Sequence, residues 1–293
     1  MATLSYHEQK DIENIKKLRE LQKELPSFCS DFFRGIETST STRTRIAYAY
    51  DLKIFFQFLK TANPGTFDNP SHTLTPSDLE KLTVTDLEEY IDYLKCHPSD
   101  TNEDVINTER GLMRKVSSLR SFYSYFFRNE RIEKNPAALV RMPKLHEKEI
   151  IRLEIDEVAK LLDEVEEGDK LTEKQKLYHE RTKIRDLAMM SLLLGTGIRV
   201  SECVGLNIND IDLDTCGARV YRKGGKESVI YFSDEVRDVL EDYLDEREMI
   251  DAVPGNEDAL FLSMQRKRIN VRSVENLVKK YAKLVTPLIK ITL

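Results

Sequence analysis

The sequence predicts a mostly α protein carrying one small β-hairpin, an α+β chain of two domains. Three observations predict it. Apolar residues recur every three or four positions along most of the 293 residues, which is helical spacing. One segment departs from this: from Ala218 to Phe232 two short apolar runs flank Lys223-Gly224-Gly225-Lys226, as strands flank a tight turn. Finally, the stretch from Asn135-Pro136-Ala137 to Met142-Pro143-Lys144 is too interrupted by proline to continue a helix, and the composition turns acidic just after it. The domain boundary is placed there, which suits a chain long enough for two cores of about 100–150 residues each.

The elements follow in order. Ile12, Ile15, Leu18, Leu21 and Leu25 mark an amphipathic helix from Glu8 to Leu25, read as a packing arm. The Ser/Thr cluster Thr38 to Thr42 offers N-caps for a long helix through Lys60. Ile46, Tyr50, Ile54, Phe55, Phe58 and Leu59 lie along its expected inner face, with Arg43 and Arg45 in the first turn. Pro64-Gly65 and Pro70 then form a loop. Thr85 with Glu88 makes a capping box for a helix ending near Leu94 and closed by His97-Pro98. A further helix from about Asn107 to Asn129 turns Leu112, Val116, Leu119, Phe122 and Phe126 inward, and places Arg110, Arg114, Lys115 and Arg120 on other faces.

Beyond the boundary, a helix spans about Ile155 to Val165, and the apolar run Leu187 to Leu194 reads as a core helix. After the hairpin, Ser233 caps a helix to about Ile250, with Asp234 and Glu235 favourably placed for its dipole. Asn270 caps a last helix carrying Val274, Leu277, Val278, Tyr281 and Leu284. There is no internal repeat.

Composition narrows the function classes. With 40% hydrophobic and 33% charged residues the chain is that of a folded protein, not a disordered one. No apolar run approaches the roughly 20 residues of a membrane span, and the first 25 residues are charged and amphipathic, unlike a signal peptide. The expectation is a cytoplasmic protein with no membrane partner. Cys29, Cys96, Cys203 and Cys216 are scattered without metal-ligand spacing, so they read as reduced thiols and no metal site is expected. The net charge of −6 argues against a polyanionic partner, but its distribution argues for one. Nine Lys or Arg against three acids lie between Ile106 and Lys144, and eight against one between Met264 and Lys290. His146 to Glu180 holds twelve acids. Segregation of this kind suits basic faces for a nucleic acid, and equally suits solvated helix faces.

The most informative segment is Leu194-Gly195-Thr196-Gly197-Ile198-Arg199-Val200-Ser201-Glu202, an apolar helix broken by two glycines and restarted at an arginine. Glycine there can end the helix in the left-handed conformation, and the arginine faces whatever anion the restart attracts. Structural pairing of Arg199 with Glu202 is an equally good reading of those residues alone. The hairpin tip, Arg222-Lys223-Gly224-Gly225-Lys226-Glu227, projects its lysines from a tight turn, where most lysines are merely solvated.

Together, GTGIRVSECVGLNINDID and YRKGGKESVIYF resemble the first arginine box and the lysine hairpin of the tyrosine recombinase or phage integrase family, in its Xer-like branch. Arg199 and Lys223 are 24 residues apart (223 − 199), a spacing that suits Xer-like members. Upstream, SLRSFYSYFFRNERIEKNPA and TSTRTRIAYAYDLKIFFQFL resemble parts of the family's core-binding domain. The resemblance implies an N-terminal arm over 1–24, a helical, SAM-like core-binding domain over 25–134, a linker over 135–149 and a catalytic domain over 150–293. It also implies a clamp on double-stranded DNA. The implied reaction is phosphoryl transfer without metal or cofactor: a tyrosine attacks a backbone phosphate, forms a 3′-phosphotyrosine and expels a 5′-hydroxyl. Arg199 would stabilise the transition-state oxygens, Lys223 would protonate the leaving oxygen, and Glu202 would orient Arg199 or support the helix. Arg43, Arg45, Arg110, Arg114 and Lys226 are the candidate DNA contacts.

The sequence departs from the family pattern at its end. The family's His-x-x-Arg box, a further His or Trp and the nucleophilic tyrosine should follow TPLIKITL, and no histidine follows Arg199. Tyr221, Tyr231, Tyr243 and Tyr281 do not stand at the nucleophile position. The expectation is therefore a catalytic domain truncated at its C-terminal end, which binds its site without cutting it and for which assembly with recombinase protomers is in doubt. Two readings of another class compete: a DNA-binding regulator or decoy of an intact recombinase, and a helical scaffold with no DNA role.

Overall fold

The computed structural model describes residues 5–69, 71–98, 103–146, 153–222 and 225–285. It is mostly helical with two small antiparallel sheets, and the chain divides into two compact units, Met1–Lys148 and Glu149–Leu293.

The first unit opens with α1 (Tyr6–Gln22), where Ser5 and Glu8 form a reciprocal capping box, and α2 (Cys29–Gly35). The long α3 (Thr42–Ala62) starts at Ser41, whose hydroxyl accepts from the Thr44 N–H. Its buried face is Ala49, Leu52, Phe55, Phe56 and Leu59, rotated from the expected one: Tyr50 is exposed, and Ile46, Ile54 and Phe58 are only half-buried. The short α4 (Pro64–Phe67) and α5 (Pro76–Leu79) fill the loop. α6 (Val84–Lys95) is capped by Thr83 with Asp86 rather than by Thr85 with Glu88. Both pairs fit the capping-box pattern; the earlier one sets the register that buries Leu87, Tyr90 and Leu94.

His97-Pro98 does not simply end α6. It belongs to β1 (Cys96–Pro98), which pairs with β2 (Asp104–Ile106) in a small hairpin too short for sequence periodicity to mark. α7 (Glu109–Arg128) buries Val116, Leu119, Phe122, Tyr123 and Phe126, and α8 (Pro136–Leu139) is a single turn capped by Asn135.

The core of this unit is aromatic. The Phe122 ring lies within 5.1–6.4 Å of Phe28, Phe32, Phe56, Tyr123 and Phe126, mostly edge to face. Packing is close enough that a methyl group at Gly35 would collide with the Tyr125 ring.

The second unit begins with α9 (Ile155–Glu167), ended by Gly168 in the left-handed conformation (φ 69°). The charged segment after it contains α10 (Glu173–His179), opened by a Thr172–Gln175 capping box, and α11 (Lys183–Thr196) is the apolar core helix. The short α12 (Val200–Gly205) leads through a 3₁₀ turn at Ile208–Asp210 into a three-stranded sheet. Its order is β3 (Ile211–Asp212), β4 (Gly217–Arg222), β5 (Lys226–Tyr231), with Arg222 opposite Lys226 at the tip.

α13 (Asp234–Glu248) starts after Ser233, whose side chain makes no capping bond, contrary to expectation. α14 (Val271–Val285) is capped by Asn270, which accepts from the Ser273 N–H at 2.8 Å. Between α13 and α14 the backbone is laced by polar groups. Arg247, 4% exposed, donates to the carbonyls of Ala259, Ile250 and Glu257. The Tyr243 hydroxyl donates to Leu260 O at 2.9 Å.

All four cysteines are free; Cys29 and Cys203 are buried, Cys216 is half-buried and Cys96 exposed. Among the described residues no helix is long and apolar enough to cross a membrane.

Candidate functional site

The chain reaches the site through the end of α11. Gly197 takes the left-handed conformation (φ 65°), and a Cβ there would meet nothing within 4 Å, so glycine is required by backbone conformation and not by crowding. The turn delivers Arg199 in extended conformation just ahead of α12.

Glu202, one turn on, holds that arginine twice. Its carboxylate accepts from the Arg199 backbone N–H at 3.0 Å and from Arg199 Nη1 at 2.7 Å. The Glu202 side chain is 6% exposed and that of Arg199 67% exposed. The two readings left open by the sequence thus coexist: Arg199 is paired with Glu202, yet most of its donor fork faces solvent. A buried carboxylate gripping one nitrogen fixes the direction of a planar fork that can still offer paired donors to an oxyanion.

The far end of α12 is held by a residue the sequence did not single out. Arg268 donates from Nη1 to Val204 O at 3.0 Å and Leu206 O at 2.6 Å, and from Nη2 to Asn207 Oδ1 at 2.5 Å. Arg266, Lys267 and Arg268 read alike as a basic run, and nothing in their order shows that the third turns inward. Asp210 accepts from the Asn207 N–H at 2.8 Å and lies 3.4 Å from Arg219 Nε on β4, which ties the turn to the sheet.

Lys223, the expected general acid, and Gly224 lie outside the described residues. Lys226, the first residue of β5, is exposed at the hairpin tip.

In the first unit the candidate DNA contacts divide. Arg43, in the first turn of α3, and Arg110, in the first turn of α7, are exposed. Arg45 is not: its side chain is 10% exposed and donates to Glu37 at 2.7 Å, because its position on α3 faces the protein rather than solvent. Arg114 is half-exposed and ion-paired to Asp51, whose side chain is 2% exposed. Burial raises the Asp51 carboxyl above its usual range, and the Arg114 guanidinium opposes the rise without cancelling it. Lys115, expected outward, is buried and donates to Asn107 at 2.7 Å; burial lowers its ammonium below the usual lysine value.

The phage integrase family model matches residues 151–287. The tyrosine recombinase XerC of Caldanaerobacter subterraneus subsp. tengcongensis is 36% identical over 267 residues, covering 88% of this chain and 69% of that protein. The tyrosine recombinase XerS of Streptococcus uberis is 31% identical over 296 residues, covering 92% and 82%. The chain belongs to the phage integrase family, as a Xer-like tyrosine recombinase. Among solved structures, a lambda integrase dimer bound to a COC′ core site matches 89% of this chain and 78% of its own, with a TM-score of 0.59 at 15% identity. The XerH site-specific recombinase bound to difH substrate in a pre-cleavage complex matches 84% and 64%, with a TM-score of 0.56 at 16% identity. Both share its fold.

Proposed function

We propose that this chain binds double-stranded DNA and presents Arg199 and Lys223 to a backbone phosphate, with other recombinase protomers as neighbours on the same DNA. The observation that carries the reading is the exposed Arg199 guanidinium, held in one direction by the buried carboxylate of Glu202. Arg199 donates to the non-bridging oxygens, where negative charge grows during phosphoryl transfer. Lys223 serves as the proton donor to the leaving 5′-oxygen. Arg43, Arg110 and Lys226 contribute sequence-independent phosphate contacts, and Arg114 does so only to the extent that Asp51 releases it.

The 293-residue polypeptide by itself binds without cutting. No histidine follows His179 in it, and its tyrosines beyond Arg199 are poorly suited as nucleophiles. Burial pushes the Tyr243 hydroxyl up to about 12 and that of Tyr281 higher still. Tyr243 is further committed to Leu260 O and to the Leu262 N–H. Tyr221 and Tyr231 lie in the strands of the hairpin.

Binding to labelled duplex DNA across a salt series, with a denaturing gel of the same samples, tests this. The expected result is affinity that falls with salt, no covalent product, and about tenfold weaker binding for Arg199→Ala at a recombination site. Salt-insensitive behaviour would remove the DNA reading; a covalent adduct would remove the claim that the polypeptide does not cut.

A further inference from the structure

The six-residue α12 carries Arg199 at its start and exposes three acceptors at its end, and one side chain collects all three. Val204 O, Leu206 O and Asn207 Oδ1 accept from the guanidinium of Arg268 at 2.5–3.0 Å. We propose that Arg268 is a positioning residue for Arg199, setting the pose of α12 and through it the direction in which the Arg199 guanidinium faces a phosphate. This rests on the reading of Arg199 as a phosphate contact.

The physical case has three parts. First, α12 is too short to hold itself: a helix of six residues has most of its carbonyls without an intrahelical partner, and isolated helices of this length do not persist in water. A cation at the C-terminal end both satisfies carbonyls and complements the helix dipole. Second, a planar fork fixes more than one acceptor at a time. Arg268 binds two backbone carbonyls and a side-chain oxygen on the next residue, so it fixes the orientation of the helix end as well as its distance. Third, the segment that supplies Arg268 is itself anchored. Leu262 bridges Arg268 in an antiparallel pair, Leu260 N–H donates to Leu206 O at 3.0 Å, and Asn256 Oδ1 accepts from the Arg268 N–H at 2.8 Å.

At the start of the same helix the side-chain hydrogen bonds that hold Arg199 among the described residues come from Glu202, and Glu202 moves with α12. Any tilt of the helix is therefore passed to the exposed guanidinium. Loss of Arg268 leaves Arg199 charged and exposed but aimed in several directions.

Nitrogen-15 NMR of the arginine Nε–H groups in the full chain tests this without DNA. The Arg199 signal is assigned with Arg199→Lys, and Arg247, buried on other carbonyls, reports whether the unit is folded. In Arg268→Leu the Arg199 signal is expected to move and to exchange with water several-fold faster, the Arg247 signal staying in place; Arg268→Lys, which keeps the charge without the fork, is expected to recover part of the difference. Should Arg268→Leu fail to fold, Arg268→Lys and Asn207→Ala, each removing only part of the contact set, are expected to shift the Arg199 signal in the same sense. An unmoved Arg199 signal in folded variants overturns the proposal. A second arm measures duplex affinity for Arg199→Ala, Arg268→Lys and the double variant. If Arg268 acts through Arg199, the second change costs nothing further once Arg199 is gone, and additive losses count against it. If Arg199→Ala leaves affinity unchanged, the phosphate reading of Arg199 has failed, and the spectroscopic arm still decides whether Arg268 positions it.

Discussion

The two units solve the same problem of holding a fold with different materials. The first is stabilised by a continuous aromatic cluster centred on Phe122; its most buried cations are tied to a carboxylate or an amide, Arg45 to Glu37 and Lys115 to Asn107, and carbonyl stitching is confined to its edge, where the half-buried Arg120 holds Ala137, Ala138 and Val140 after α7. The second stitches irregular backbone with arginines whose partners are carbonyl oxygens, Arg247 on Ala259, Ile250 and Glu257, and Arg268 on Val204 and Leu206. The difference shows where precision is placed. Apolar packing tolerates small readjustments of neighbouring side chains, whereas a guanidinium bridging several carbonyls fixes a loop in one geometry, as Arg268 does at the end of the short helix that Arg199 precedes.

Substitutions can break or sharpen this contrast. The largest effect is expected from Phe122→Ala, which removes a fully buried ring from five aromatic neighbours and is expected to destabilise the chain by about 3–5 kcal/mol in urea unfolding. A loss below about 1 kcal/mol would mean that the cluster is not the centre of the first unit.

Arg247→Met keeps volume and leaves buried carbonyls without their donor, an expected loss of about 2–3 kcal/mol in the same assay. If this variant is as stable as the parent, the stitching of the second unit is decorative.

Acid unfolding sharpens the contrast within the first unit, because two of its buried carboxylates shift in opposite directions. Burial alone would raise Asp78, but donation from Lys81, the Thr75 N–H and His72 outweighs it and lowers the carboxyl from 3.8 to about 2. The stability it contributes is present above its ordinary value and is lost as pH falls toward about 2. Asp51 is raised, so its contribution is fully present below the ordinary value and lost as pH rises through the raised one. Asp78→Asn is therefore expected to cost about 1–2 kcal/mol at neutral pH and to flatten the acid limb. Asp51→Asn is expected to change stability by less than about 1 kcal/mol and to steepen nothing below pH 4. A common response of both variants to acid would contradict these assignments.

The smallest effect concerns binding. Freed from Asp51, Arg114 becomes available to phosphate, so Asp51→Asn is expected to tighten duplex DNA binding on the order of threefold at low salt. Unchanged affinity would take Arg114 off the DNA face.

The long periodic elements were legible from sequence because burial repeats along them, as in α7, where four of the five residues expected inward are fully buried. The glycine-turn hairpin and the helix break at Gly197 were legible from local chemistry. What could not be read was the choice between locally equivalent options. Thr83 and Thr85 both head capping boxes, and tertiary burial of Leu87 and Tyr90 decides between them. Arg43 and Arg45 lie two positions apart on one helix, yet a rotation of about 200° between such positions sends one to solvent and the other against Glu37. Arg268 was hidden inside a basic run for the same reason: its charge is visible in sequence, its acceptors are not.

Cys29 and Cys203 are each almost fully buried, one in either unit, and burial raises both thiols so that little thiolate forms at neutral pH. Each is thus a stopwatch built into its own half of the chain: a thiol-reactive dye modifies Cys96 and Cys216 first, and the later, slower labelling counts how often each core opens. Because Cys203 sits beside Glu202 on α12, its labelling rate clocks the same short helix that carries Arg199, with no probe having to be introduced.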